Sequence, residues 1–175
     1  MSILDTLLGS AQAGSLNRAA ALRGLDSGSA ASLLEQLVPA LTAQVKRHAG
    51  STGGLDSLTS ALKRGGHARY LEDPSALTSQ AAVSDGNGIL GHILGSKDAS
   101  RNVAAHAARE SGVDAATIRK MLPVVAAMAM GALSRQTDSG RRLEDDGGGL
   151  LGSLLDSNQD GQVLDDVISL ARKLF

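Results

Sequence analysis

The sequence predicts an all-α, multihelical protein of two similar halves arranged around two long, kinked helices. Three observations predict it. Leucine and alanine dominate at 27 residues each, against nine valines and five isoleucines, a balance that favours helix over sheet. The chain holds 21 glycines and three prolines, so it has many stops and few kinks. Apolar residues recur at helical spacing, as in Leu34, Leu37, Val38, Leu41 and Val45.

The elements follow in order. A short apolar helix is expected over Ile3 to Leu8, and a second over Ser15 to Arg23. Gly24 stops the second by taking the left-handed C-cap conformation. Asp26 or Ser27 then caps a long helix, Ser29 to His48, by accepting a backbone N–H. Pro39 inside it predicts a kink, because proline removes one hydrogen bond and clashes with the preceding turn. Gly50 to Gly54 reads as a loop, Leu55 to Leu62 as a short helix, and His67 to Leu71 as a further turn ended by Pro74. Ser84-Asp85-Gly86-Asn87-Gly88 reads as the joint between the halves.

The second half repeats the series. Ile89 to Leu94 is a short helix, and Ala99 to Glu110 another, stopped by Gly112. Asp114 caps a long helix that runs to Arg135 and contains Pro123. This helix is apolar almost all round from Val124 to Met130, the mark of a central helix. Thr137 to Gly148 is a polar loop. Gly149 to Leu155 and Leu164 to Leu174 are the last helices.

Four anchors recur in the same order at an offset of 84 to 95 residues. Leu7-Leu8-Gly9-Ser10 matches Ile93-Leu94-Gly95-Ser96. Gly24-Leu25-Asp26 matches Gly112-Val113-Asp114, and Leu37-Val38-Pro39 matches Met121-Leu122-Pro123. Gly53-Gly54-Leu55 matches Gly148-Gly149-Leu150. The order predicts an internal duplication with halves 1–83 and 84–175.

The run Gly88-Ile89-Leu90-Gly91-His92-Ile93-Leu94-Gly95 resembles the bacterial domain-of-unknown-function family 937, the YidB-like proteins. Ser111-Gly112-Val113-Asp114 and the helix with Met121-Leu122-Pro123 extend the resemblance. The N-terminal half and the Asp-rich tail are similar to it as well, so it covers most of the chain. The resemblance implies an all-α multihelical fold. It implies no established activity, catalytic residue or cofactor.

Composition excludes several classes of function. The formal net charge is -1, so no global basic field attracts nucleic acid or an anionic membrane. There is no cysteine, hence no disulfide framework, Cys-based zinc site or thiol nucleophile. That suits a reducing compartment, and a cytoplasmic protein is expected. The opening residues lack a basic segment and include Asp5, unlike a secretory signal. The longest apolar run, Met121 to Leu133, has 13 residues. A bilayer span needs about 20, so a buried helix is expected. One Tyr and one Phe leave no stacking platform for bases or sugars.

The sharpest chemical motif is Asp156-Ser-Asn158-Gln-Asp160-Gly161-Gln162-Val163, which matches the first eight positions of a calcium-binding EF-hand loop. Oxygen ligands fall at positions one, three and five, glycine at six allows the sharp turn, and Gln162 offers its backbone carbonyl. Position twelve departs from the pattern, with Val167 in place of a bidentate Glu. Asp166, one residue earlier, would close a shortened loop. The candidate calcium ligands are therefore Asp156, Asn158, Asp160, Gln162 and Asp166. The alternative is an Asn/Asp/Gly turn with Asp165 capping the last helix.

Ala107 to Leu122 also follows the helix-turn-helix pattern, with Gly112 at the turn and Asp114 as cap. For DNA reading the second helix must expose polar residues. It offers Arg119 and Lys120 and then turns wholly apolar, so structural use of the turn is favoured. His48, His67, His92 and His106 show no metal-ligand spacing and read as solvated or helix-end residues. No GxSxG elbow, Walker loop or GxGxxG is present. The basic pairs Lys46-Arg47, Lys63-Arg64, Arg141-Arg142 and Arg172-Lys173 sit near helix C-termini or loops.

These readings converge on a non-catalytic protein that associates with itself or with another protein. The alternatives are a calcium-responsive module using residues 156–166 and a helix-turn-helix regulator.

Overall fold

A computed structural model describes residues 10–145 apart from Pro74, together with Gly149. Among the described residues there are eight α-helices, one 3-10 turn and no strand. They are α1 (Ser10–Ala21), α2 (Ser27–Ala49), α3 (Gly54–Gly65) and α4 (Arg69–Glu72). The 3-10 turn Ala76–Thr78 follows. Then come α5 (Gln80–Leu94), α6 (Lys97–Ser111), α7 (Ala115–Gln136) and α8 (Arg141–Asp145).

Local signals set most of these boundaries. Asp26 caps α2, accepting from the Ser29 amide at 2.9 Å and the Ser29 hydroxyl at 2.8 Å. Those bonds hold its carboxyl below the usual range. Asp114 caps α7, accepting from the Ala116 and Thr117 amides at 3.0 and 3.1 Å. Ser96 caps α6 through the Ala99 amide at 3.1 Å. Gly112 closes α6 with φ +71°, and its N–H donates to the Ala108 carbonyl. A side chain at that φ is disfavoured, which is why glycine stands there.

The two longest helices, α2 and α7, each contain an internal proline, Pro39 and Pro123. α7 is the centre. From Met121 to Met128 every residue is buried, and burial continues from Met130 to Ser134. By length and composition α7 could cross a bilayer, yet 72% of its apolar window is buried inside the fold. It packs against α5 most extensively, and also against α2, α3, α4 and α6. Buried residues from Leu16 to Leu143 form one core cluster, with members on both sides of residue 83.

A backbone-to-backbone approach joins α5 to α7. A Cβ added to Gly86 would stand 1.9 Å from the Pro123 carbonyl oxygen and 2.5 Å from its carbon. The obstacle is backbone, which cannot swing aside as a side chain can. Gly86 is thus the residue that lets α5 lie directly on α7.

This contact corrects one expectation. Ser84-Asp85-Gly86-Asn87-Gly88 is not a joint but the middle of α5, and the expected short helix Ile89 to Leu94 is its C-terminal part. Ser79 starts the helix by accepting from the Ala82 amide at 3.2 Å. Burial of Gly86 against α7 then outweighs the poor helix propensity of the segment. The polar stretch after α7 also differs from expectation, since it forms α8. A turn precedes α8, with Asp138 and Ser139 at φ 50° and 56°.

The expected helices Ile3 to Leu8 and Leu164 to Leu174 lie outside the described residues, as does Gly149 to Leu155 except Gly149. Two of the four repeat anchors also run outside them, at 7–9 and at 148 and 150.

Two glycines of α5 separate packing from propensity. Gly86→Ala is expected to destabilise the protein by about 2 kcal/mol, from overpacking. Gly88 has nothing within 4 Å of an added Cβ, so Gly88→Ala is expected to stabilise by up to about 1 kcal/mol through helix propensity. Urea unfolding of both variants checks this. Equal shifts, or stabilisation by Gly86→Ala, would contradict the close crossing.

Candidate functional site

Three places bring chemically distinct residues together, and all three use α5. The first is a polar cluster joining α4 to α5. Tyr70, the chain's single tyrosine, is 1% exposed. Its hydroxyl donates to Asp85 Oδ2. The Arg69 guanidinium donates to the same carboxylate oxygen at 2.7 Å and to the Tyr70 oxygen at 2.8 Å. It also lies 4.8 Å from the Tyr70 ring centroid, within cation–π range. Burial, then the bond to Asp85, pushes the phenol above its ordinary pKa.

His67 stands beside this cluster, with its ring 6.3 Å from that of Tyr70. The structure corrects its expected solvated position, since it is only 6% exposed. Its Nδ1 has no hydrogen-bond partner. Burial lowers its pKa, with the Asp85 charge opposing more weakly. Glycines make the room: a Cβ on Gly65 would lie 1.7 Å from His67 Nε2, and one on Gly131 would lie 2.8 Å from the His67 carbonyl oxygen. One Asp85 oxygen is already engaged by two donors, and Tyr70 and His67 are hidden from solvent. The arrangement fixes α4 on α5.

The second place is an open cleft of about 650 Å³ where α5, the first turn of α6 and the first part of α7 meet. Leu90 and Leu122 line its floor. Lys97, Arg101 and Arg119 bring three cations to it, and no Asp or Glu is among its lining residues. Arg119 is one of the two basic residues of the helix-turn-helix pattern. The turn itself is present between α6 and α7, but α7 is buried from Met121 to Ser134 apart from Ala129.

The third place is mostly apolar. Two adjoining hollows of about 20 and 30 Å³ share Ile89, Ile93 and Met130. Leu41 and Val45 of α2 wall one, and Leu58 and Ala61 of α3 wall the other. Ile93 is half-buried there.

Among the described residues no group of three or more His, Asp or Glu side chains is placed to hold a metal ion. The calcium candidates Asp156, Asn158, Asp160, Gln162 and Asp166 lie outside the described residues. Lys46-Arg47 and Lys63-Arg64 fall in the last turns of α2 and α3, as expected. Arg141 instead opens α8 and pairs with Asp138 at 2.9 Å. Sequence reasoning missed the burial of His67 and the pairing of Tyr70 with Asp85. Gly65 before His67 was the available signal, since a residue without a Cβ leaves room for a neighbouring ring.

The His67 environment sets a pH dependence. Its folded pKa lies below the unfolded value of about 6.5. The stability it contributes is therefore present above that value and lost as pH falls through the folded pKa. The thermal stability of the wild type is expected to fall as pH drops below about 6.5. His67→Leu is expected to flatten that part of the profile. A wild-type slope unchanged in the variant would contradict a buried neutral imidazole.

A family model described as "Bacterial protein of unknown function (DUF937)" matches residues 5–136. The match ends at the last residue of α7, so the Asp-rich stretch, which by its own resemblance was expected to share the family pattern, falls beyond it. No curated protein and no solved structure matches the chain. With the match spanning most of its length and all seven helices from α1 to α7, the chain belongs to this bacterial family of unknown function.

Proposed function

We propose that the protein is a non-catalytic interaction protein that associates with a second copy of itself through the groove of Ile89, Ile93 and Met130. That groove is the observation supporting the reading. Ile89 and Ile93 lie one helical turn apart, so both face it from α5. Its walls come from α2, α3 and α7 and are mostly aliphatic, with Thr42, His48, Ser57 and His92 among the lining residues. A net charge of -1 gives two copies little mutual repulsion. A stable dimer buries about 1,600 Å² in total. Ile93, half-buried over the already buried Ile89 and Met130, would contribute to the apolar centre of such an interface, and the exposed faces of α2 and α3 would form its rim.

The Asp156–Val163 motif supports a second reading, a calcium-responsive module, because its first eight positions carry loop ligands in the right order. One experiment addresses both readings. Native mass by light scattering, with and without calcium, is expected to exceed the monomer mass. Ile93→Glu is expected to weaken association at least tenfold, about 1.4 kcal/mol, while helical content is kept. A strictly monomeric wild type at high concentration would overturn the self-association reading. A mass and melting temperature indifferent to calcium would overturn the second.

A further inference from the structure

We propose that the cleft between α5, α6 and α7 is a binding site for a ligand carrying a phosphate dianion attached to an apolar body. The observation is the juxtaposition of three cations, contributed by two helices, over an apolar floor. Lys97 and Arg101 stand one turn apart on α6, and Arg119 reaches the same cleft from α7. Lys97 and Arg119 form no ion pair among the described residues.

Arg101 is paired with Asp98 at 2.8 Å, but both side chains are largely exposed, at 62% and 83%. Exposed pairs of this kind contribute little, so the guanidinium can turn to a ligand. Counting Asp98 beside the three cations, the local charge is about +2. A phosphomonoester carries about −1.5 to −2 at pH 7 and so matches it, whereas a single carboxylate neutralises half. Arginine forks suit phosphate oxygens in bidentate geometry.

The rest of the cleft is consistent with this ligand. Its volume of about 650 Å³ lies in the range of small-molecule sites. Ser96 and Ser100 add hydroxyl groups at its edge. The first turn of α6 lines it, where the helix dipole adds to the attraction that the three side chains already exert. Leu90 and Leu122 are buried beneath and offer an apolar floor. Gly91 lines the cleft with nothing within 4 Å of an added Cβ, so the space above it is free.

Gly91 supplies a test independent of charge. Gly91→Leu would fill the cleft without entering the core, and its better helix propensity protects the fold. Calorimetry at low salt uses phenyl phosphate, inorganic phosphate and benzoate as probes. Phenyl phosphate is expected to bind saturably and more tightly than either of the others. Lys97→Ala/Arg119→Ala and Gly91→Leu are each expected to weaken it at least tenfold, and added salt to weaken it further. Sedimentation with phosphatidylcholine vesicles, with and without phosphatidic acid, separates the sources of the phosphate. Variant-sensitive binding to the phosphatidic acid vesicles alone would place the phosphate on a lipid headgroup, and binding of phenyl phosphate alone would place it on a soluble compound. No saturable binding to either, or binding unchanged in both variants, would overturn the proposal.

Discussion

The contact of Gly86 with the backbone of Pro123 is the constraint on which the remaining structure depends. It brings two helix axes together where any side chain would intervene. Because α7 is buried on nearly every side, its position is shared by all the helices that cover it. α5 is the helix it holds most extensively. Fixing α5 there also fixes what α5 carries. Asp85, one residue before the contact, faces α4. Ile89 and Ile93 face α2 and α3. Leu90 and Gly91 face the start of α6.

A core nearly without aromatic rings is explained by the same geometry. Alanine and glycine let helices approach until backbone meets backbone, and leucine fills what remains. Such packing leaves few large side chains to secure register. The Arg69–Tyr70–Asp85 cluster supplies part of that register with directional bonds instead. Polar bonds of this kind are modest in net energy but specific in geometry. Each further glycine at a close approach, Gly65 under the His67 ring and Gly131 under its carbonyl, extends the same mode of packing.

Much of the fold was legible in the sequence because its signals are local. The caps Asp26 and Asp114, the stop at Gly112 and the apolar circumference of α7 all stand where their residue types place them. The bounds of α2, α6 and α7 agree with expectation to within about two residues. What was not legible depends on residues distant in sequence. Gly86 and Gly88 beside Asp85 and Asn87 read as a loop until α7 is brought against them. Tyr70 meets Asp85 across 15 residues, and Arg119 joins Lys97 and Arg101 only through the turn between α6 and α7. No periodicity encodes such meetings. His67 looked like one solvated histidine among four because burial is a property of the assembled helices.

The account rests on α5 and α7 behaving as one cooperative unit, and native-state amide hydrogen exchange measures that most directly. Opening free energies for α5 around residues 86–90 and for α7 around residues 124–130 should agree to within about 1 kcal/mol, near the global value. α5 amides that exchange through a separate opening several kcal/mol below that of α7 would contradict the claim that the Gly86–Pro123 contact binds the two helices together.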